Sequence, residues 1–238
     1  ELVDAEPALE GARRVKTPEE VDAIRRAVGV ADTALAAAVA ELRPGVTERH
    51  LAAVFMAAMA GQGVTTPSTQ QVAWVSSGPR PRRRAGSGPV SGSDLVRFDA
   101  GVVAAGYGGE VGRTWPADPG AADGATKELV ARVDGLWHRL LDACRAGASC
   151  AALLGAYRAE GLEVPPFPVA TGLGLGFDLP VVTGDLPVTA ERELLEPGMV
   201  LAVTAHADDG TRAVLRKEAV LVSDGGPRIL TTSDRWQP

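Results

Sequence analysis

Apolar residues recur at helical spacing in two blocks of the chain, and each block gives way to shorter runs with the character of strands. The first block opens at Thr17-Pro18-Glu19-Glu20. A Thr cap, a Pro at the first helical position and an acid three residues after the cap are the marks of a helix start. Val21, Ile24, Ala27, Val28, Ala31 and Leu35 then fall on one face, and Pro44-Gly45 ends the run. Thr47 opens a second helix, with Leu51, Val54, Phe55, Ala58 and Met59 on one side and Gly61 at its close. Residues 71–77 predict a strand, 78–93 a Gly/Pro/Arg loop and 94–104 a second strand. The order then repeats. Residues 127–146 have helical periodicity through Leu129, Val133, Leu136, Leu140 and Leu141, and 151–160 make a shorter helix. Gly/Pro-bounded strands follow around 167–178, 199–206, 217–222 and 228–231. Helices followed by strands, twice over, predict two related halves, about 17–125 and 126–238, rather than a βαβ series. Residues 1–16 read as a tail or linker.

Composition narrows the function classes. A chain of 238 residues is ample for a core, and 45% hydrophobic against 23% charged residues excludes wholesale disorder. The net charge of −6 argues against a nucleic-acid or membrane-surface partner. Cys144 and Cys150 have the spacing of neither a zinc site nor a disulfide framework, which predicts a reduced setting. No apolar run reaches the ~20 residues a membrane span needs, and the first residues lack a signal-peptide core. The expectation is a cytoplasmic protein. The glycines of residues 172–176 lack dinucleotide-site spacing, and Pro180 follows too soon for a helix.

Two stretches carry more specific information. Leu95-Val96-Arg97-Phe98-Asp99-Ala100-Gly101, followed by Gly106-Tyr107-Gly108-Gly109-Glu110-Val111-Gly112-Arg113-Thr114, resembles the signature of the pita-bread family. That family includes methionine aminopeptidase, aminopeptidase P, prolidase and creatinase. Arg14-Val15-Lys16-Thr17-Pro18-Glu19-Glu20, Pro197-Gly198-Met199-Val200 and Arg216-Lys217-Glu218 match further blocks of the creatinase–prolidase branch, in order. The resemblance covers nearly the whole chain from about residue 13. It implies a single α/β (α+β) domain of two pseudo-symmetric halves, with a curved, mainly antiparallel sheet and helices on its outer face. It also implies a homodimer, and a further domain ahead of residue 13 in full-length relatives.

The resemblance carries a site as well. Enzymes of the family hold two metal ions with two Asp, one His and two Glu, and use them to make a hydroxide and polarise a carbonyl. Mapped by position, these fall on Asp99, Glu110, Leu173, Thr204 and Glu218. Leucine has no lone pair and a Thr hydroxyl is a poor substitute for a carboxylate, so one metal position is expected to be lost. Asp99, Glu110 and Glu218 would hold at most one weakly bound Mg²⁺, Mn²⁺ or Ca²⁺, and no other cofactor is expected. The family's substrate-facing His, expected shortly after Ser77-Gly78-Pro79, has no counterpart in residues 80–85.

Asp99, Glu110 and Glu218 are expected to converge in the pocket, where mutual repulsion raises at least one pKa. The alternative is that they are relics paired with Arg113 and Arg216. His206, two residues past Thr204 on a strand, would face the same side and serve as acid or base, or else sit at a strand end facing solvent. Arg113, Arg216, Thr204, Leu173, Tyr107 and the loop residues Arg82 and Arg84 are the expected substrate contacts. The Arg-rich loop reads more readily as a solvated one, since charge runs are commonly surface features. Creatinase, through the resemblance, shows that the scaffold can break C–N bonds by acid–base chemistry. The expected function is therefore a metal-independent, creatinase-like hydrolase, or a lyase or cyclase, acting on a small anionic or amide-containing molecule. The alternatives are an inactive binding module and an active metallo-aminopeptidase or prolidase.

Overall fold

A computed structural model describes residues 5–68, 75–78, 85–176, 178–185 and 193–238. The helix at Thr17 forms as its sequence dictates. Helix α2 spans Pro18–Ala40, with the Thr17 hydroxyl accepting from the Glu20 N–H and the Glu20 carboxylate accepting from the Thr17 N–H. Thr47 likewise caps α3, Glu48–Gly61. Part of the expected tail is also helical: α1 covers Glu6–Arg14, with Pro7 in its first turn. None of its residues is buried, and its one large apolar side chain, Leu9, is exposed. It is held at its end, where Arg14 meets Glu193 at 2.6 Å.

The strands are β1 Thr66–Pro67, β2 Val75–Ser77, β3 Leu95–Ala104, β4 Tyr107–Pro116, β5 Ala170–Gly172, β6 Asp178–Val182, β7 Val200–Asp208, β8 Ala213–Leu221 and β9 Arg228–Ile229. Helices α4, Gly124–Ala143, and α5, Ala151–Ala159, come between β4 and β5. Among the described residues these strands form one sheet in the order β1-β3-β4-β8-β7-β5-β6, with β2 on β3 and β9 on β8. Every pairing is antiparallel.

Two long hairpins, β3–β4 and β7–β8, form the two halves and meet where Gly112 pairs with Lys217. A glycine is required there, because a Cβ on residue 112 would lie 2.8 Å from the Lys217 Cβ. Each half has its own core on the helical side. Ala27, Ala31 and Leu35 of α2 and Phe55 of α3 pack against Phe98, Ala100 and Val111. Leu136, Trp137 and Leu140 of α4 and Tyr157 of α5 pack against Val203, Ala205 and Val220. A third cluster, including Ile24, Val28, Leu173, Ala202 and Ala219, joins the halves. No helix among the described residues is long and apolar enough to cross a membrane.

Candidate functional site

Register decides which polar side chains meet. Side chains alternate along a strand, and directly paired residues share a face. Asp99 of β3 pairs with Gly112 of β4, Gly112 with Lys217 of β8, and Lys217 with Thr204 of β7. Glu110, paired with Gly101, lies two residues from Gly112 and so shares that face, as does His206, two residues from Thr204. The face opposite the helical layer therefore carries Arg97, Asp99, Glu110, Lys217, Thr204 and His206.

At its centre the Lys217 ammonium donates to Asp99 Oδ1 at 2.5 Å and to Glu110 Oε2 at 3.2 Å. The three side chains are 13–18% exposed, shielded but open to solvent. Burial pushes the Lys217 pKa down, but Asp99 and then Glu110 outweigh it and leave it raised, so the ammonium keeps its charge at neutral pH.

His206 is a different kind of group. Its ring is buried, its edge meets Phe167 with ring centroids 5.2 Å apart, and Nε2 has no hydrogen-bond partner. Burial pushes its pKa down to about 4, Arg97 adds to the shift, and Asp208 and Asp99 oppose it. At neutral pH the imidazole is uncharged. The backbone leading into it is fixed from the helical layer, where the Tyr157 hydroxyl donates to the Thr204 carbonyl at 2.8 Å and accepts from the His206 N–H at 3.1 Å.

Several expected positions fall elsewhere. Glu218 does not converge with Asp99 and Glu110. As the neighbour of Lys217 it points to the helical side, where it accepts from Arg113 at 2.9 Å, from Arg216 Nε at 2.8 Å and from the Thr231 hydroxyl. Asp99, Glu110 and Glu218 thus do not share a face of the sheet, as a single-ion site made of all three would require. Arg113 and Arg216 do not share the Asp99 face, since both belong to the helical-side network. Arg113 also donates to the carbonyls of Gly112 and Lys217 at 2.8 Å each and to that of Ser233. Arg216 lies over the Trp137 ring, 4.5 Å from its centroid. Tyr107 stands beside α2, its hydroxyl 3.2 Å from Glu20, because its odd position on β4 turns it away from Glu110. Leu173 is buried in the third apolar cluster, where an apolar side chain gains most. Arg82 and Arg84 lie outside the described residues. Lys217 is the site residue that the sequence reading missed. Among the described residues no group of three or more His, Cys, Asp and Glu is arranged to hold a metal ion.

Comparison with known proteins places this geometry in a family. The profile of metallopeptidase family M24 matches residues 22–224. An uncharacterized peptidase of Bacillus subtilis, YqhT, is 28% identical over 99% of this chain and 67% of its own length. The Xaa-Pro dipeptidase of Pyrococcus furiosus is 25% identical over 99% of this chain and 68% of its own. Among solved structures, the prolidase from Pyrococcus furiosus covers 97% of this chain with a TM-score of 0.84 at 23% identity, the match taking in 68% of that protein. The X-Pro aminopeptidase from Thermotoga maritima covers 97% with a TM-score of 0.84 at 23% identity, over 66% of its length. The chain thus spans about two thirds of the length of these relatives. The structural likeness at such identity shows the fold, which is the pita-bread fold, and the profile match over most of the chain shows its kinship: this protein belongs to metallopeptidase family M24.

Proposed function

We propose that this member of the family is a metal-independent enzyme, acting on a small anionic or amide-containing molecule by C–N bond hydrolysis or a related lyase or cyclisation step. The observation that carries the reading is the Lys217 ammonium seated on Asp99 and Glu110. A dinuclear centre needs several carboxylate or imidazole donors converging on open coordination positions. On this face the two carboxylates already share an ammonium, Thr204 offers a neutral hydroxyl, and Leu173 offers no donor at all. The residues present do not fit a pair of metal ions.

What they do supply is a fixed positive charge beside two proton-transfer groups. Lys217 is suited to stabilising negative charge that develops on a carbonyl oxygen. Asp99 or Glu110, which accept from the ammonium, would take a proton from the attacking water and pass it to the leaving nitrogen, with the uncharged His206 as the alternative base. The relatives' descriptions as peptidases support an enzyme. A second reading, a non-catalytic binding module, draws on the same salt bridges, which engage both carboxylates.

Turnover of a panel of small amides, measured with excess chelator, separates these readings. The enzyme reading expects turnover to persist in chelator and to fall about 100-fold or more in Asp99→Asn, within the usual range for a lost acid–base group. Turnover that returns only with added metal overturns it, and binding without turnover favours the module.

A further inference from the structure

Resting on the metal-independent reading, we infer that Lys217 is a tethered cation standing where a divalent ion's charge would act, and that residue 217 alone decides whether Asp99 and Glu110 can hold a metal ion. Asp99 and Lys217 lie on strands separated by β4, and neighbouring strands are about 4.8 Å apart. The lysine must therefore reach across a whole intervening strand. It can do so because the residue between them in register is Gly112, which has no side chain to fill the row. Its own backbone is pinned from the far side of the sheet, where Arg113 bonds the carbonyls of Gly112 and Lys217 together.

Two carboxylates on adjacent strands of one face repel each other unless a cation sits between them. The ammonium meets that need with two of its three hydrogens, leaving the third for a substrate oxygen. A divalent ion at the same carboxylates would have to displace a positive group that the sheet holds in place. Replacing the lysine by glutamate removes the competing charge and adds a third oxygen donor on the same face. That converts the cluster into a hard donor set suited to Mn²⁺.

The test is titration of free Mn²⁺, followed by its paramagnetic resonance signal, against wild type, Lys217→Glu and Lys217→Met. Wild type is expected to leave the ion free, and Lys217→Glu to take up about one ion per chain, tighter by roughly 100-fold or more. Lys217→Met, which removes the charge and adds no ligand, should fall between them. Uptake by wild type equal to that of the variants overturns the inference, as does a folded Lys217→Glu that takes up no ion. If Lys217→Glu does not fold, Lys217→Met decides against wild type by the same comparison. The two claims fail differently: a wild-type turnover that needs added metal sinks the metal-independent reading, whereas carboxylates that ignore Mn²⁺ after loss of the ammonium sink only the role of Lys217.

Discussion

Glu218→Ala is expected to lower the unfolding free energy by about 3–5 kcal/mol, the cost of breaking a buried ion pair by removing one partner. The Glu218 side chain is 3% exposed, as is that of Arg113, and its carboxylate accepts from Arg113, Arg216 and Thr231. Removing it leaves the Arg113 guanidinium buried without its counter-charge. It also frees the residue that bonds both halves of the sheet at Gly112 and Lys217. Urea denaturation of wild type and variant measures the loss directly. The double variant Arg113→Met/Glu218→Leu should recover only part of it: an apolar pair can replace a buried ion pair, but the carbonyls of Gly112, Lys217 and Ser233 then lose their Arg113 donor. A Glu218→Ala protein with a wild-type urea midpoint and no turnover would instead return this residue to the active site.

Acidification should cost the fold about 3 kcal/mol through His206 alone. Its pKa falls from an ordinary 6.5 to about 4 on folding, because burial and then Arg97 disfavour the charged ring more than Asp208 and Asp99 favour it. The unfolded chain therefore binds the extra proton between those two values, and stability rises with pH across that window. The contribution is complete above about pH 6.5, declines as pH falls towards 4, and changes no further below that. Unfolding free energies of wild type and His206→Gln, measured at pH 7 and pH 4, isolate it from the carboxylates that titrate nearby. The wild type should lose about 3 kcal/mol more than the variant over that interval. Equal losses would mean that the ring is not held neutral in the folded protein.

The sequence made some of this structure readable and hid the rest for physical reasons. Helix α2 was legible because its cap box and its apolar spacing coincide, and the two halves because helices and strands recur in the same order. Helix α1 was not, since nothing in it is buried and Leu9, its one large apolar side chain, is exposed. On the site face, Asp99, Glu110, Thr204 and His206 could be placed from motif and alternation. Glu218 could not. Arg216, Lys217 and Glu218 are three consecutive charged residues, and alternation alone does not say which of them faces Asp99. Only the pairing of Gly112 with Lys217 fixes that choice, and it lies between halves about a hundred residues apart in the chain. Tyr107 and Leu173 follow the same logic, since one strand position or one apolar cluster overrides what a motif suggests.

Metal content of the purified protein, by mass spectrometry before and after incubation with Mn²⁺, Zn²⁺ and Mg²⁺, tests the central claim most directly. With Lys217 holding Asp99 and Glu110, occupancy is expected to stay far below one ion per chain under every condition. Two tightly held ions per chain would contradict the account and favour the active metallo-aminopeptidase or prolidase reading.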